Sequence, residues 1–265
     1  MSQAIPYWHV DAFADRAFTG NQAAVMILDE WLDDAVLQQI GEENNFAETA
    51  FLVRDASGEA DWELRWFTPA VEIRLCGHAT LASGYVLLGQ EPGREAVRFR
   101  TRKVGILEVR RLGDGYEVAL PAIPTGRGAF PEAVAALGGT PLETWRNPDD
   151  YNLFLFPDED AVRALTPDMA ALATFGEHQF ICTAPGRETD VVSRVFVPGA
   201  GVPEDSVTGS AHAVLTSFWA EKLGRESFSA FQASQRGGRV DCRLDGDRAW
   251  LGGSCVTVVE GTFYV

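Results

Sequence analysis

The sequence predicts an α+β fold of two pseudo-symmetric lobes, each a curled mixed β-sheet wrapped around one central helix. Three observations carry this expectation. A pattern recurs: Phe67-Thr68-Pro69 leads through a turn to Gly77-His78-Ala79 and an apolar run, and Phe196-Val197-Pro198 leads through a turn to Gly209-Ser210-Ala211 and another. The step is 132 positions, about half of the 265 residues, and it also carries Phe99 to Phe231, Gly105 to Gly237 and Leu112 to Leu244. Residues 79–88 are small and apolar on every helical face, and 211–223 form the matching glycine-opened helix, so each has to be enclosed. Many short strand-like segments surround each such helix, and a curled sheet is what encloses one. A flat sheet covered by helices is the alternative that the pattern alone leaves open.

In order along the chain, residues 8–13 read as a first strand, and Gly20-Asn21 turns into an apolar strand at 23–28. Residues 33–43 carry a weak apolar helical face, with Gly41 near the end. A polar bend at Asn44-Asn45 runs into a strand at 50–53, and 61–67 alternates as another. After the buried helix come strands at 97–99, 106–111 and 116–120, the last two flanking a Gly113-Asp114-Gly115 hairpin turn. Pro121, Pro124, Gly126, Gly128 and Pro131 mark a linker, which sets the expected lobes at 1–122 and 123–265. The second half then repeats the order, with a strand at 153–156, a helix around 166–174, strands at 179–183 and 190–197, and the helix 211–223. The last strand, 262–265, is free to cross back to the first lobe.

The totals exclude several functions. A net charge of −16 opposes nucleic acid or an anionic membrane as partner, since both need a positive surface. No apolar run is long enough to span a bilayer, and residues 1–7 do not read as a signal peptide. Cys76, Cys182, Cys242 and Cys255 are scattered, as expected for reduced thiols in the cytoplasm.

Two glycine-opened helices at equivalent places are expected to face each other across a pseudo-two-fold axis. Their N-termini carry free N–H groups and partial positive charge, so together they suit a small carboxylate. Gly77 and Gly209 would let that ligand approach the backbone. His78, in the first turn, would be biased toward its neutral form by the dipole and exchange protons near neutral pH. Asp205, just before the second helix, reads as a turn carboxylate or as a partner of His78 on one ligand. Ser210 is the positional equivalent of His78, either a solvated first-turn serine or a hydrogen-bond donor in the same cleft. Glu48 stands at the mouth of an apolar strand, where a carboxyl group could serve as acid or base. Spacing alone does not choose it over Glu72, Glu63 or Glu43.

Asn45-Phe46-Ala47-Glu48-Thr49-Ala50-Phe51, Phe67-Thr68-Pro69 through Cys76-Gly77-His78-Ala79-Thr80, and Glu204-Asp205 through Thr208-Gly209-Ser210-Ala211 together resemble the PhzF-like (phenazine biosynthesis) isomerase family. The resemblance covers nearly the whole chain in order. It implies the fold of diaminopimelate epimerase, with two lobes each curled about a helix. It implies Glu48 as the acid/base that moves a proton between carbons of a cyclic, conjugated carboxylic acid. It makes His78 and Asp205 its catalytic companions and Gly77, Gly209 and Ser210 substrate contacts. No metal, nucleotide or organic cofactor is implied, and a homodimer is usual. The epimerase relatives use two opposed cysteines. Here Cys76 matches the first, and the second falls near Val207 with no thiol, so Cys76 reads as a packed apolar side chain. Two rival readings are a serine hydrolase using Ser210, Asp205 and His78 or His212, and a non-catalytic small-anion-binding protein. The hydrolase lacks a Gly-x-Ser-x-Gly elbow.

Overall fold

The structure, a computed structural model, describes residues 3–265. The chain divides into two compact units: Met1–Leu120 with Gly252–Val265, and Pro121–Leu251.

Unit 1 runs β1 (Ala4–Ala12), β2 (Asn21–Ile27), α1 (Asp34–Asn44), β3 (Glu48–Arg54), β4 (Trp62–Phe67), β5 (Glu72–Ile73), α2 (Gly77–Gln90), β6 (Ala96–Thr101), β7 (Ile106–Leu112) and β8 (Gly115–Pro121). β1 and β2 pair antiparallel, β2 and β3 parallel, and β3 and β4 antiparallel. β4 takes β5 antiparallel and β6 parallel, and β6–β7–β8 is an antiparallel meander. A parallel pair needs a crossover, and α1 and α2 supply the two crossovers.

α2 has eleven of its fourteen residues buried and touches β1, β2, β3, β6 and β7. Strands from both ends of that order meet one helix only if the sheet curls around it. Enclosure explains the composition. Gly84 lies so close to β7 that an added Cβ would stand 2.3 Å from Val109 Cγ1. The polar side chains of α2 turn back on their own helix: Thr80 Oγ1 donates to the Cys76 carbonyl at 2.5 Å and Ser83 Oγ to that of Ala79 at 2.7 Å. On the outer face, Leu37 and Ile40 of α1 join Met26, Phe51 and Phe67 in a core cluster. Each such burial is worth about 1.5–3 kcal/mol. β3 is therefore apolar on both faces, and its interior is continuously buried.

Unit 2 runs β9 (Gly126–Arg127), α3 (Pro131–Leu137), β10 (Glu143–Arg146), β11 (Tyr151–Leu155), α4 (Glu159–Arg163), α5 (Met169–Ala173), β12 (Gln179–Pro185), β13 (Val191–Val197), β14 (Val202–Asp205), α6 (Gly209–Leu223), β15 (Ser227–Gln232), β16 (Gly238–Asp245) and β17 (Arg248–Gly253). Its pairing repeats that of unit 1. β11 and β12 are parallel, β12 and β13 antiparallel, β13 takes β14 antiparallel and β15 parallel, and β15 pairs antiparallel with β16. α6, the counterpart of α2, has eleven of fifteen residues buried.

Three expectations change. The proline-rich linker contains a helix, α3, because Pro131 is its first-turn residue rather than a breaker. The helix expected around 166–174 is the shorter α5, and an unexpected short helix, α4, precedes it; each is capped by an aspartate, Asp168 or Asp158, that accepts from a backbone N–H. The last strand, β18 (Cys255–Tyr264), starts earlier than expected and runs antiparallel along β1 from Ala12↔Cys255 to Ala4↔Tyr264. The return to unit 1 is thus a full-length strand.

Candidate active site

Glu48 opens β3 and pairs in register with Ala23 of β2, directly after the left-handed Asn45 (φ 50°) that caps α1. Asn45 is thus a helix end. Cys76 is the extended N-cap of α2, and His78 follows in the first turn. Strand start and helix start thereby converge: Glu48 Oε2 lies 2.9 Å from His78 Nε2, and Cys76 Sγ lies 3.6 Å from His78 Nδ1.

The His78 ring is buried, at 3% exposure, and held on both edges. Nε2 also faces the Gln22 carbonyl at 3.2 Å. Nδ1 faces Asn21 Nδ2 at 3.2 Å, while Asn21 Oδ1 accepts from the Gln22 N–H. For the neutral ring that amide orientation makes Nδ1 the acceptor and leaves the proton on Nε2; a second proton, on Nδ1, requires the Asn21 amide to turn its oxygen to the ring. Glu48 keeps 15% of its side chain exposed, yet Oε2 itself is buried and has no donor in line. The 2.9 Å contact is therefore an ion-pair approach rather than a straight hydrogen bond.

The electrostatics correct one expectation. Burial alone would lower the proton affinity of His78, but Cys76 and Glu48 beside it raise it well above the ordinary 6.5. Cys76 is itself pushed up to about 11 by burial and by the charge of Glu48, so it is a thiol at neutral pH. The charge that holds the His78 proton is accordingly that of Glu48. The helix dipole, worth about 0.3–1 kcal/mol, favours a neutral imidazole, and a carboxylate at contact distance outweighs it.

The structure also separates the four glutamates. Glu72 is bound in a two-pronged pair to Arg65, at 2.8 Å on each prong. Glu63 accepts from Trp31 and pairs with Arg100 at 2.6 Å. Glu43 is exposed. Of these, only Glu48 sits on a buried histidine.

In unit 2, Asp205 closes β14, opposite Val195, and accepts from Thr208 Oγ1 at 2.6 Å. Gln232 supports this turn, accepting from Thr208 N–H and donating to the Asp205 carbonyl at 2.7 Å. Gly209 and Ser210 open α6, and Ser210 Oγ exchanges hydrogen bonds with the Gln179 side chain at 3.0 and 3.3 Å. His212 Nδ1 donates to the Thr208 carbonyl at 2.8 Å, and its burial lowers its pKa to about 4. Ser210 therefore has an amide, not an imidazole, as its partner, which removes the contact a serine hydrolase needs.

The duplication extends further than the motifs show. The N-caps of α2 and α6 are Cys76 and Thr208, so the residue matching Cys76 is Thr208 rather than Val207. Glu48 and Gln179 open the equivalent strands β3 and β12. Glu48–His78 in unit 1 thus corresponds to Gln179–Ser210 in unit 2, a titratable pair matched by a neutral one. Gln179 was absent from the residues expected at a site. A step of 131 from Glu48, to the start of the matching strand, would have found it. Glu48, Cys76 and His78 also each offer one metal-ligating atom, all within 4.8 Å of one another.

A family model described as phenazine biosynthesis-like protein matches residues 10–261. An uncharacterized isomerase of Pseudomonas aeruginosa is 46% identical over 260 residues, covering 97% of each chain. The crystal structure of a PhzF-family phenazine biosynthesis protein from Enterococcus faecalis superposes with a TM-score of 0.90 at 39% identity, covering 99% of this chain and 100% of that one. A hydroxyproline epimerase from Agrobacterium vitis shares the fold, with a TM-score of 0.62 at 12% identity, 99% of this chain and 93% of that one. The fold is the epimerase-like one that the resemblance implied.

Proposed function

The chain belongs to the phenazine biosynthesis-like family and is an isomerase, and from that premise we propose that it shifts a proton between carbons of a small cyclic or conjugated carboxylic acid, with Glu48 as proton carrier. One observation carries this reading: a part-exposed carboxylate lies 2.9 Å from a buried histidine at the opening of a helix. Glu48 takes the proton from a carbon activated by conjugation to the substrate's carboxylate. It returns that proton to a second carbon of the same face. His78 fixes the carboxylate and offsets its charge as proton transfer proceeds. The first-turn N–H group at Gly77 has no acceptor within its helix and suits the substrate's carboxylate. It adds a local positive field in a chain of net charge −16. Asp205 and Ser210 are the contacts proposed from unit 2.

The neutral pair Gln179–Ser210 supports a one-base reaction. A racemase with two opposed bases needs a titratable group in each half, and here the matching group in unit 2 is an amide. Positioned acid/base chemistry of this kind is worth about 10²–10⁴-fold in rate. Glu48→Gln preserves shape and removes the proton carrier. Substrate-dependent exchange of carbon-bound hydrogen with D₂O, followed by NMR, is expected to fall by about that factor. Unchanged exchange in the variant would refute the assignment.

A further inference from the structure

Glu48, Cys76 and His78 have a property that proton transfer does not use. They bring a carboxylate oxygen, a sulfur and an imidazole nitrogen within 4.8 Å of one another, and are the one such group of three among the described residues. We propose that this triad is a zinc site, occupied reversibly and in competition with substrate, so that the ion acts as an inhibitor of the enzyme. The inhibition rests on the role of Glu48 given above; the binding does not.

The donor set points to the metal. Thiolate with imidazole selects zinc over magnesium or calcium, which prefer oxygen alone. Zinc takes sulfur at about 2.3 Å and nitrogen at about 2.0–2.1 Å, so a tetrahedral shell sets sulfur and nitrogen about 3.6 Å apart and nitrogen and oxygen about 3.3 Å apart. Here Cys76 Sγ lies 4.0 Å from His78 Nε2, and Glu48 Oε2 lies 2.9 Å from the same nitrogen. Cys76 Sγ also lies 3.6 Å from Nδ1, so its side chain turns toward Nε2 for sulfur and nitrogen to share one ion. Glu48 Oε2 is buried with no donor in line, so a lone pair is available to the ion. Cys76 and His78 are two residues apart at the rigid start of α2, which fixes two of the three ligands. The part-exposed flank of Glu48 leaves the fourth position to water, the arrangement of an open zinc site.

The charges balance. The helix N-terminus opposes a cation, but a thiolate and a carboxylate around a divalent ion give a neutral complex. On binding, the Cys76 thiol proton leaves to the buffer as the zinc–sulfur bond forms. The Nε2 proton leaves or relocates to Nδ1 as the zinc–nitrogen bond forms, and nothing is oxidised or reduced.

The test uses the full chain freed of metal. Calorimetric titration with zinc sulfate is expected to give one equivalent bound per chain. Cobalt(II) should give a thiolate-to-metal charge-transfer band, and X-ray absorption of the zinc-loaded wild type should show one sulfur with nitrogen and oxygen. Cys76→Ala should abolish the band and weaken zinc binding by at least about 100-fold, the upper end of what loss of an outer-shell partner costs. Magnesium should not compete. A first shell without sulfur, or unchanged affinity in Cys76→Ala, overturns the site, and the absorption measurement needs no variant that could misfold. Zinc bound with sulfur while proton exchange on substrate continues would retain the site and overturn Glu48 as the proton carrier, so the two readings fail separately.

Discussion

Substituting Gly84 by alanine tests whether α2 is held by its contact with the sheet. An added Cβ would stand 2.3, 2.5 and 2.9 Å from Cγ1, Cβ and Cγ2 of Val109. Carbon atoms pack at about 3.5–4.0 Å, so helix and strand must part by roughly 1 Å. Val109 cannot yield alone: it is fully buried and its branched side chain is confined to few rotamers. Alanine gains up to about 1 kcal/mol of helix propensity over glycine. Overpacking costs about 1–3 kcal/mol, and a clash on three atoms belongs at the upper end. The expected net loss is about 1–2 kcal/mol, read as a lower urea midpoint with an unchanged slope. Because α2 also positions His78, the same displacement should loosen the Glu48–His78 contact. Hydrogen exchange on substrate is then expected to fall by up to about 100-fold, the usual effect of a 1 Å misplacement. Val109→Ala removes the two γ carbons and leaves only Cβ, at 2.5 Å, so the clash is eased in part and the double variant should be more stable than the sum of the two single losses allows. A Gly84→Ala protein as stable as wild type, or strictly additive effects, would refute the close-contact reasoning.

Other expectations follow from buried charge. Arg65 is only 2% exposed and rests on Glu72 through two hydrogen bonds, with Asp34 as its other, exposed partner. Glu72→Ala leaves that guanidinium poorly paired and should cost roughly 3 kcal/mol in chemical denaturation; a loss under about 1 kcal/mol would show that Asp34 suffices. His212 has its pKa lowered to about 4 by burial, against 6.5 in the open chain. Between these values the unfolded chain binds more protons, so stability falls as pH drops from about 6.5 toward 4, by roughly 3 kcal/mol in all. His78 contributes with the opposite sign, since its affinity is raised and its contribution is complete below about pH 6.5. The check is therefore a difference: His212→Asn should remove the acid loss seen in the wild type, and parallel pH curves for the two proteins would overturn it.

Much of this was legible in the sequence because the chain states it twice. The helix openings at Gly77 and Gly209 were found from repetition, and His78 and Ser210 followed by position. Enclosure of both helices followed from their lack of a polar face. What remained hidden depends on contacts between distant residues. Glu48 could not be chosen over Glu72 or Glu63 by spacing, because Arg65 and Arg100 are what occupy those two. The proton affinity of His78 is not legible in the sequence because the helix dipole is written locally and the facing carboxylate is not. α4 is five residues long, too short to show a period, and only its capping aspartate announces it. α3 hides in the linker because proline at a first helical position looks the same in sequence as proline in a loop.

The antiparallel seam between β1 and β18 has a consequence for synthesis. A ribosome delivers the residues of unit 2 as one uninterrupted stretch, whereas the sheet of unit 1 stays short of its closing strand until residue 264 has emerged. The later-translated unit can therefore finish folding first, while α2 waits with part of its apolar surface uncovered. Nascent chains stalled before Cys255 should accordingly recruit chaperones through the earlier half of the protein, and the last ten residues of β18 would act as the latch that releases them.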